Sequence, residues 1–231
     1  MSRNSQAKKY ILFLNNRYSA AEVDFYRTRL KDNVKVAVDG GVRFFLRSQL
    51  RPDIIIGDFD SAPRLTNKYL SGIEVLRFSP RKDKTDSQLA VEMAMERGAD
   101  EIEICGALGQ TEIDHTLENI FLLHLIKRAS RLYRRRIFGR IISPVSEVIF
   151  LEDEKAEIAG RKGDYLSLLP LSDGVKVRFK GLVYPAPKSP LKFGDSLSLR
   201  NQFATSRAEI AVKGTALVVT VKKRAGKTTF S

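Results

Sequence analysis

Along the first part of the chain, short uninterrupted apolar runs alternate with longer stretches in which apolar residues recur every three or four positions. The runs predict strands over residues 10–14, 34–38, 54–56, 73–78 and 102–105, and the periodic stretches predict helices over 20–30 and 87–97. Thr85 followed by Gln88 has the spacing of a capping box, so the second helix should begin just after Asp83-Lys84. A third helix should begin near Asp114 and bury Leu117, Ile120, Phe121 and Leu125. Strand-helix alternation of this kind builds a mostly parallel sheet with flanking helices.

Beyond residue 148 the helical period disappears. Short alternating runs at 165–169, 175–179, 196–199, 209–212 and 217–221 are separated by Gly, Pro and Asp, and the last two flank Lys213-Gly214-Thr215 as a hairpin would. The fold class is therefore α/β with a mostly parallel N-terminal sheet, plus a C-terminal all-β sandwich. The domains divide as 1–143 and 147–231.

Composition changes this picture in two respects. The 231 residues carry a formal charge of +13, which raises the question of a polyanionic partner. The densest cluster is Lys127, Arg128, Arg131, Arg134, Arg135, Arg136 and Arg140. Two readings compete there: a solvated helix end, where cations suit the negative end of the dipole, or a surface for RNA or for the phosphates of ATP. The single cysteine, Cys105, excludes an internal disulfide and fits the cytoplasm. No apolar run is long enough to span a bilayer.

Against that basic background, carboxylates gather on turns at the ends of successive strands: Asp39 before Gly40-Gly41, Asp58 and Asp60 around Phe59 after Gly57, then Asp83 and Asp86 around Lys84-Thr85. Open α/β sheets bind ligands outside the carboxyl ends of their strands. Asp58 and Asp60, two apart in an extended turn, project to the same side. With Asp83 and Asp86 they offer the hard oxygen donors that Mg2+ takes alongside substrate phosphates. Gly40, Gly41 and Gly57 allow close approach of backbone to a phosphate chain. Any one of these aspartates could equally be a turn or cap residue. Gly106 to Gly109 reads as an ordinary strand-to-helix turn, lacking the spacing of a phosphate loop. His115 and His124 have no nucleophile beside them and read as capping or packing residues.

In order and spacing, Asp39-Gly-Gly, Pro52-Asp53, Gly57-Asp-Phe-Asp-Ser61, Asp83-Lys-Thr-Asp86, Asp114-His115 and Asn119-Ile120 resemble the motifs of the thiamin pyrophosphokinase family. The resemblance continues through Gly181-Leu-Val-Tyr184-Pro185, Leu191, Gly194 and Asn201. It implies an N-terminal domain that binds ATP and Mg2+, a C-terminal sandwich that binds thiamin, and a homodimer with thiamin between subunits. The implied reaction moves the β,γ-pyrophosphoryl group of ATP to the hydroxyl of thiamin and releases AMP. On this resemblance Asp58, Asp60 and Asp83 are the metal ligands. Asp39 and Asp86 join their cluster, and Gly40, Gly41, Lys84 and Thr85 lie against the nucleotide. Asp114, Tyr184, Arg200 and Asn201 then fall on the thiamin side.

Two positions depart from the family's pattern. Glu112 stands where the family usually has Arg, an anion in place of a cation beside a polyphosphate site. Arg200 stands where Ser commonly precedes the matched Asn, and would repel a cationic thiazolium unless it points away. These departures keep two alternatives open: a pyrophosphokinase for another hydroxymethyl acceptor such as a pterin, or a catalytically reduced scaffold that binds RNA or another polyanion.

Overall fold

The computed structural model describes residues 7–60, 62–79, 83–109 and 112–223, which fall into two compact units, Met1–Pro144 and Val145–Ser231. Ser61, part of the second acidic turn, lies outside the described residues. In the first unit, strands β1 (Lys9–Phe13), β2 (Val34–Val38), β3 (Ile54–Gly57), β4 (Glu74–Arg77), β5 (Glu101–Cys105) and β6 (Phe138–Ile142) form a sheet in the order β6-β5-β1-β2-β3-β4. Every pairing in it is parallel. The crossovers are α1 (Ala20–Arg27), α2 (Val42–Ser48), α3 (Asn67–Leu70), α4 (Asp86–Glu96) and α5 (Ile113–Leu132).

Both faces of the central strands are buried, which is why β1 and β3 read as continuous apolar runs rather than alternations. On one face Phe13 stacks on Phe44 of α2 with centroids 3.9 Å apart, and meets Phe45 and Tyr26 edge-on. Tyr26 donates to the carbonyl of Ile142 and Tyr18 to that of Leu14, so neither buried phenol wastes its polar end. The same face holds a buried ion cluster. Glu103 of β5, fully buried, receives Lys9 at 2.8 Å and Arg140 of β6. Arg135 meanwhile binds the Met95 carbonyl and Asp100. Two members of the basic cluster thus serve the first unit's own structure, while Arg128, Arg131, Arg134 and Arg136 are exposed around the end of α5.

Helix α5 corrects an expectation. Its buried side is Asn119, Leu122, Leu123, Ile126 and Ala129, whereas Leu117 and Phe121 are 47% and 59% exposed. The helix carries apolar residues on two sides, and only contact with the sheet decides which is covered.

The second unit contains two antiparallel sheets. One has the order β11 (Asn201–Gln202), β9 (Tyr165–Pro170), β13 (Thr215–Val221), β7 (Ser146–Glu152); the other is β10 (Lys176–Lys180), β12 (Arg207–Lys213), β8 (Lys155–Ala159). Together they make the expected sandwich. The hairpin at Gly214 is not formed: β12 pairs with β10 and β8, and β13 with β7 and β9. Gly214, at φ 101°, turns the chain from one sheet into the other. The run at 196–199 is likewise turn rather than strand.

Candidate active site

The acidic turns of β2 and β3 are built to meet. After Val38 the chain enters a 3-10 turn, Asp39–Gly41, that runs directly into α2, with Asp39 in the left-handed region at φ 46°. Gly41 packs against the main chain at the end of β1: a β-carbon there would lie 1.7 Å from the carbonyl oxygen of Phe13. Gly57, ending β3 at φ 149°, lies against Asp39, where a β-carbon would come within 3.1 Å of the Asp39 β-carbon. Beyond it, Asp58 Oδ1 accepts the Asp60 N–H at 3.1 Å, an Asx turn that folds the two aspartates together. Phe59 between them, at φ 70°, points into the core and lies 4.5 Å beneath the Arg77 guanidinium.

As a result, one carboxylate oxygen each from Asp39, Asp58 and Asp60 lies within 4.8 Å of the others. Asp39 is 9% exposed and Asp60 is exposed, so the trio has a protein side and an open side. At that spacing each charge pair repels by about 0.9 kcal/mol even at the dielectric constant of water, and more against protein. A divalent cation reverses the sign. Three carboxylates with solvent access fit Mg2+, which keeps several waters and shares its sphere with phosphate.

Sequence reasoning missed the groups beside the trio. Arg43, on the first turn of α2, donates to Asn15 Oδ1 at 2.6 Å and reaches the Gly40 carbonyl at 3.4 Å. Asn16 donates to the carbonyls of Gly106 and Leu108. Asn15 and Asn16 follow β1 and Gly106 follows β5, and between β1 and β5 the strand order reverses. Such a switch point is the usual ligand crevice of an open α/β sheet. The available signal was positional, two asparagines immediately after the first strand.

Among the described residues, Asp83 and Asp86 are not in the group of carboxylates that lie within 4.8 Å of one another. Asp83 and Lys84 are exposed, and Lys84 Nζ pairs with Glu92 of α4 at 2.7 Å, which raises the lysine's pKa. Burial opposes ionisation of Glu92, yet the hydrogen bonds from Lys84 and Gln88 hold its carboxyl below the usual value. Thr85 caps α4 as expected, accepting the Gln88 N–H at 3.1 Å. The box is not closed, because the Gln88 side chain bonds Glu92 instead of reaching back. The Thr85 hydroxyl donates to Glu118 of α5 at 2.9 Å. Burial pushes the Glu118 carboxyl up, while Thr85 and His115 pull the other way. Asp86 occupies the first turn of α4 and Asp114 the first turn of α5, where Asp114 Oδ1 accepts the His115 N–H. His115 Nε2 lies 3.7 Å from Glu112. Asp114, Glu118, Leu117 and Phe121 line a shallow cleft of about 420 Å³ with Gln88 of α4.

In the second unit Asn201, 5% exposed, clamps the main chain of Tyr184: its Oδ1 accepts the Tyr184 N–H at 3.0 Å and its Nδ2 donates to the Tyr184 carbonyl at 2.9 Å. The Tyr184 ring is left 61% exposed. Arg200 is drawn onto Tyr165, its guanidinium carbon 3.7 Å from the ring centroid.

Two family profiles match this chain: "Thiamin pyrophosphokinase, catalytic domain" over residues 26–133 and "Thiamin pyrophosphokinase, vitamin B1 binding domain" over residues 149–219. The thiamine pyrophosphokinase of Bacillus subtilis is 27% identical over 191 residues, covering 80% of this chain and 85% of the relative. The crystal structure of a Bacillus subtilis thiamine pyrophosphokinase superposes with a TM-score of 0.78 at 22% identity, covering 94% of this chain and all of that one. The Candida albicans thiamin pyrophosphokinase gives 0.77 at 17% identity over 94% of this chain and 90% of that one. The acidic trio falls inside the catalytic-domain match and the Asn201 clamp inside the vitamin B1 match; the chain belongs to the thiamin pyrophosphokinase family.

Proposed function

We propose that the protein transfers the pyrophosphoryl group of ATP to the hydroxyl of thiamin, giving thiamin diphosphate and AMP, with residues 1–143 handling ATP and Mg2+ and 147–231 handling thiamin. The observation that carries this reading is the convergence of Asp39, Asp58 and Asp60 at the carboxyl ends of β2 and β3, within the catalytic-domain match. In the reaction the acceptor oxygen attacks the β-phosphorus. The bond from that phosphorus to the oxygen bridging the α-phosphate breaks, and AMP leaves with the electron pair.

Asp39, Asp58 and Asp60 would hold Mg2+, with Asp83 and Asp86 joining only if the turn that carries them moves in. When bound, the ion neutralises polyphosphate charge and orients the transferred group. Arg43, fixed by Asn15 and Gly40, supplies a cation beside the anionic chain. The crevice at Asn16 and Gly106 takes the nucleoside end of ATP. Asp114, which lines the cleft with Glu118, would receive the acceptor's hydroxyl proton. Glu112 is exposed at the start of α5, 3.7 Å from His115 Nε2. A homodimer fits the uncovered apolar residues Ile113, Leu117 and Phe121 of α5. The buried thiol of Cys105, its pKa raised by burial, suits the cytoplasm.

The test is AMP release from ATP and Mg2+ with and without thiamin, by the wild type and by Asp58→Asn. The reading requires release that depends on thiamin and falls by at least about 100-fold in the variant. Absence of thiamin-dependent AMP would reject it.

A further inference from the structure

Within the second unit, the exposed apolar side chains Val183, Tyr184, Leu197 and Leu199 come from two segments that are tied together. The Val183 N–H donates to the Gln202 carbonyl at 2.9 Å, Leu182 bridges to Phe203, and Asn201 clamps Tyr184. Arg200 stands at the junction. Its main chain is in the left-handed region at φ 59°, a conformation a β-substituted residue rarely takes. Its N–H is held by Ser167 Oγ at 3.0 Å. The neighbouring strand pairing sets Gln202 opposite Tyr165 and fixes the ring beneath the guanidinium. Among the described residues the guanidinium has no hydrogen bond or ion pair; its contact is the Tyr165 ring. In the same turn Ser198 is buried with its hydroxyl oxygen unpartnered.

A guanidinium held with its carbon 3.7 Å from a tyrosine ring centroid presents a planar fork of N–H donors. The free face stacks on neutral aromatic rings, and the edge donates to ring nitrogens or carbonyl oxygens. The same charge repels a cationic ring. Thiamin contains both kinds: a neutral aminopyrimidine with acceptor nitrogens, and a cationic thiazolium that carries the reactive hydroxyethyl arm. We propose that the Arg200–Tyr165 stack is the recognition platform for the neutral nitrogen heteroaromatic ring of the acceptor, and that it orients the acceptor by turning the thiazolium away. The substitution that looked incompatible with thiamin then becomes a device for choosing which end of it enters first. This inference rests on the thiamin reading for its ligand and on the Tyr165, Ser167 and Ser198 geometry for its place.

The experiment pairs steady-state kinetics with direct binding on the full chain. Arg200→Gln and Tyr165→Leu should each raise the KM for thiamin at least tenfold and leave the KM for ATP within twofold. Arg200→Lys, which keeps charge but not the plane, should not rescue. A 4-amino-5-hydroxymethyl-2-methylpyrimidine probe, followed by ligand-observed NMR, should bind the wild type and lose binding in Arg200→Gln. A thiazolium probe, 5-(2-hydroxyethyl)-3,4-dimethylthiazolium, should bind no worse in that variant. Melting temperatures report whether each variant is folded. Thiamin turnover with an unchanged KM in Arg200→Gln overturns the platform and leaves the pyrophosphokinase reading standing. If the wild type does not turn over thiamin, that reading fails, and the pyrimidine probe alone decides: Arg200-dependent binding supports the platform and Arg200-independent or absent binding overturns it.

Discussion

Two adjacent glycines should respond in opposite ways to the same added methyl group. In Gly41→Ala the new carbon would sit 1.7 Å from the Phe13 carbonyl oxygen and 2.6 Å from its carbon, both main-chain atoms of the central strand's end. Ordinary contact begins near 3.4 Å, so the turn and β1 must part by about 1.7 Å. Overpacking costs about 1–3 kcal/mol where side chains can yield, and here backbone must move, so the upper end, about 3 kcal/mol, is expected. At about 2–4 °C per kcal/mol for a chain of this size, the melting transition should fall by about 6–12 °C. Asp39 is carried on the same turn, so activity should fall with it. In Gly40→Ala the clash at 2.1–2.2 Å is with Asn15 Oδ1 and Arg43 Nη1, the ends of flexible side chains. Stability should drop by less than about 1 kcal/mol, while the Asn15–Arg43 pair is broken and the KM for ATP rises. Circular dichroism melts and initial rates on both variants measure the contrast. A Gly41→Ala protein melting within 2 °C of wild type, on the order of the shift from a single kcal/mol, would refute the packing argument.

Arg43→Ala should raise the KM for ATP by about tenfold, the loss of about 1.4 kcal/mol from one charge-assisted contact, with the KM for thiamin unchanged in the same rate assay. Glu118 predicts a pH effect: its carboxyl is raised by burial above the ordinary 4.5, so the folded state holds the proton more tightly than the unfolded chain. Its contribution is therefore full below the unfolded value and lost as pH rises from there through the raised value. Urea midpoints measured from pH 4.5 upward should show a decline that Glu118→Gln, which still accepts from Thr85, flattens.

Strands β1 and β3 were legible because each is a continuous apolar run, whereas β6, interrupted by Gly139 and Arg140, was not expected from the sequence. The pairing of Asp58 with Asp60 was expected from an extended turn, but an Asx turn with Phe59 at φ 70° brings them together instead. That Asp39 completes the trio depends on β2 and β3 being neighbours and on Gly57 allowing the turns to touch, which no local pattern states. Asp83 follows β4, the neighbour of β3 at the sheet's edge, and is not in the 4.8 Å group that Asp39, Asp58 and Asp60 form. The α5 face was misread since periodicity fits both 117/121/125 and 122/126/129. The Gly214 turn was misread for a related reason: alternation in β12 and an apolar run in β13 identify two strands, and not whether they pair in one sheet or belong to two. Arg200 was legible as a departure. Its stacking on Tyr165 was not, because the two are brought together by the β9–β11 pairing across 35 residues of sequence.

The central claim is transfer of an intact pyrophosphoryl group, and label position tests it most directly. With ATP labelled at the β-phosphorus, thiamin and Mg2+, the account predicts that label appears in thiamin diphosphate in step with unlabelled AMP. Label retained in ADP, with thiamin carrying only phosphate from the γ-position, would contradict it.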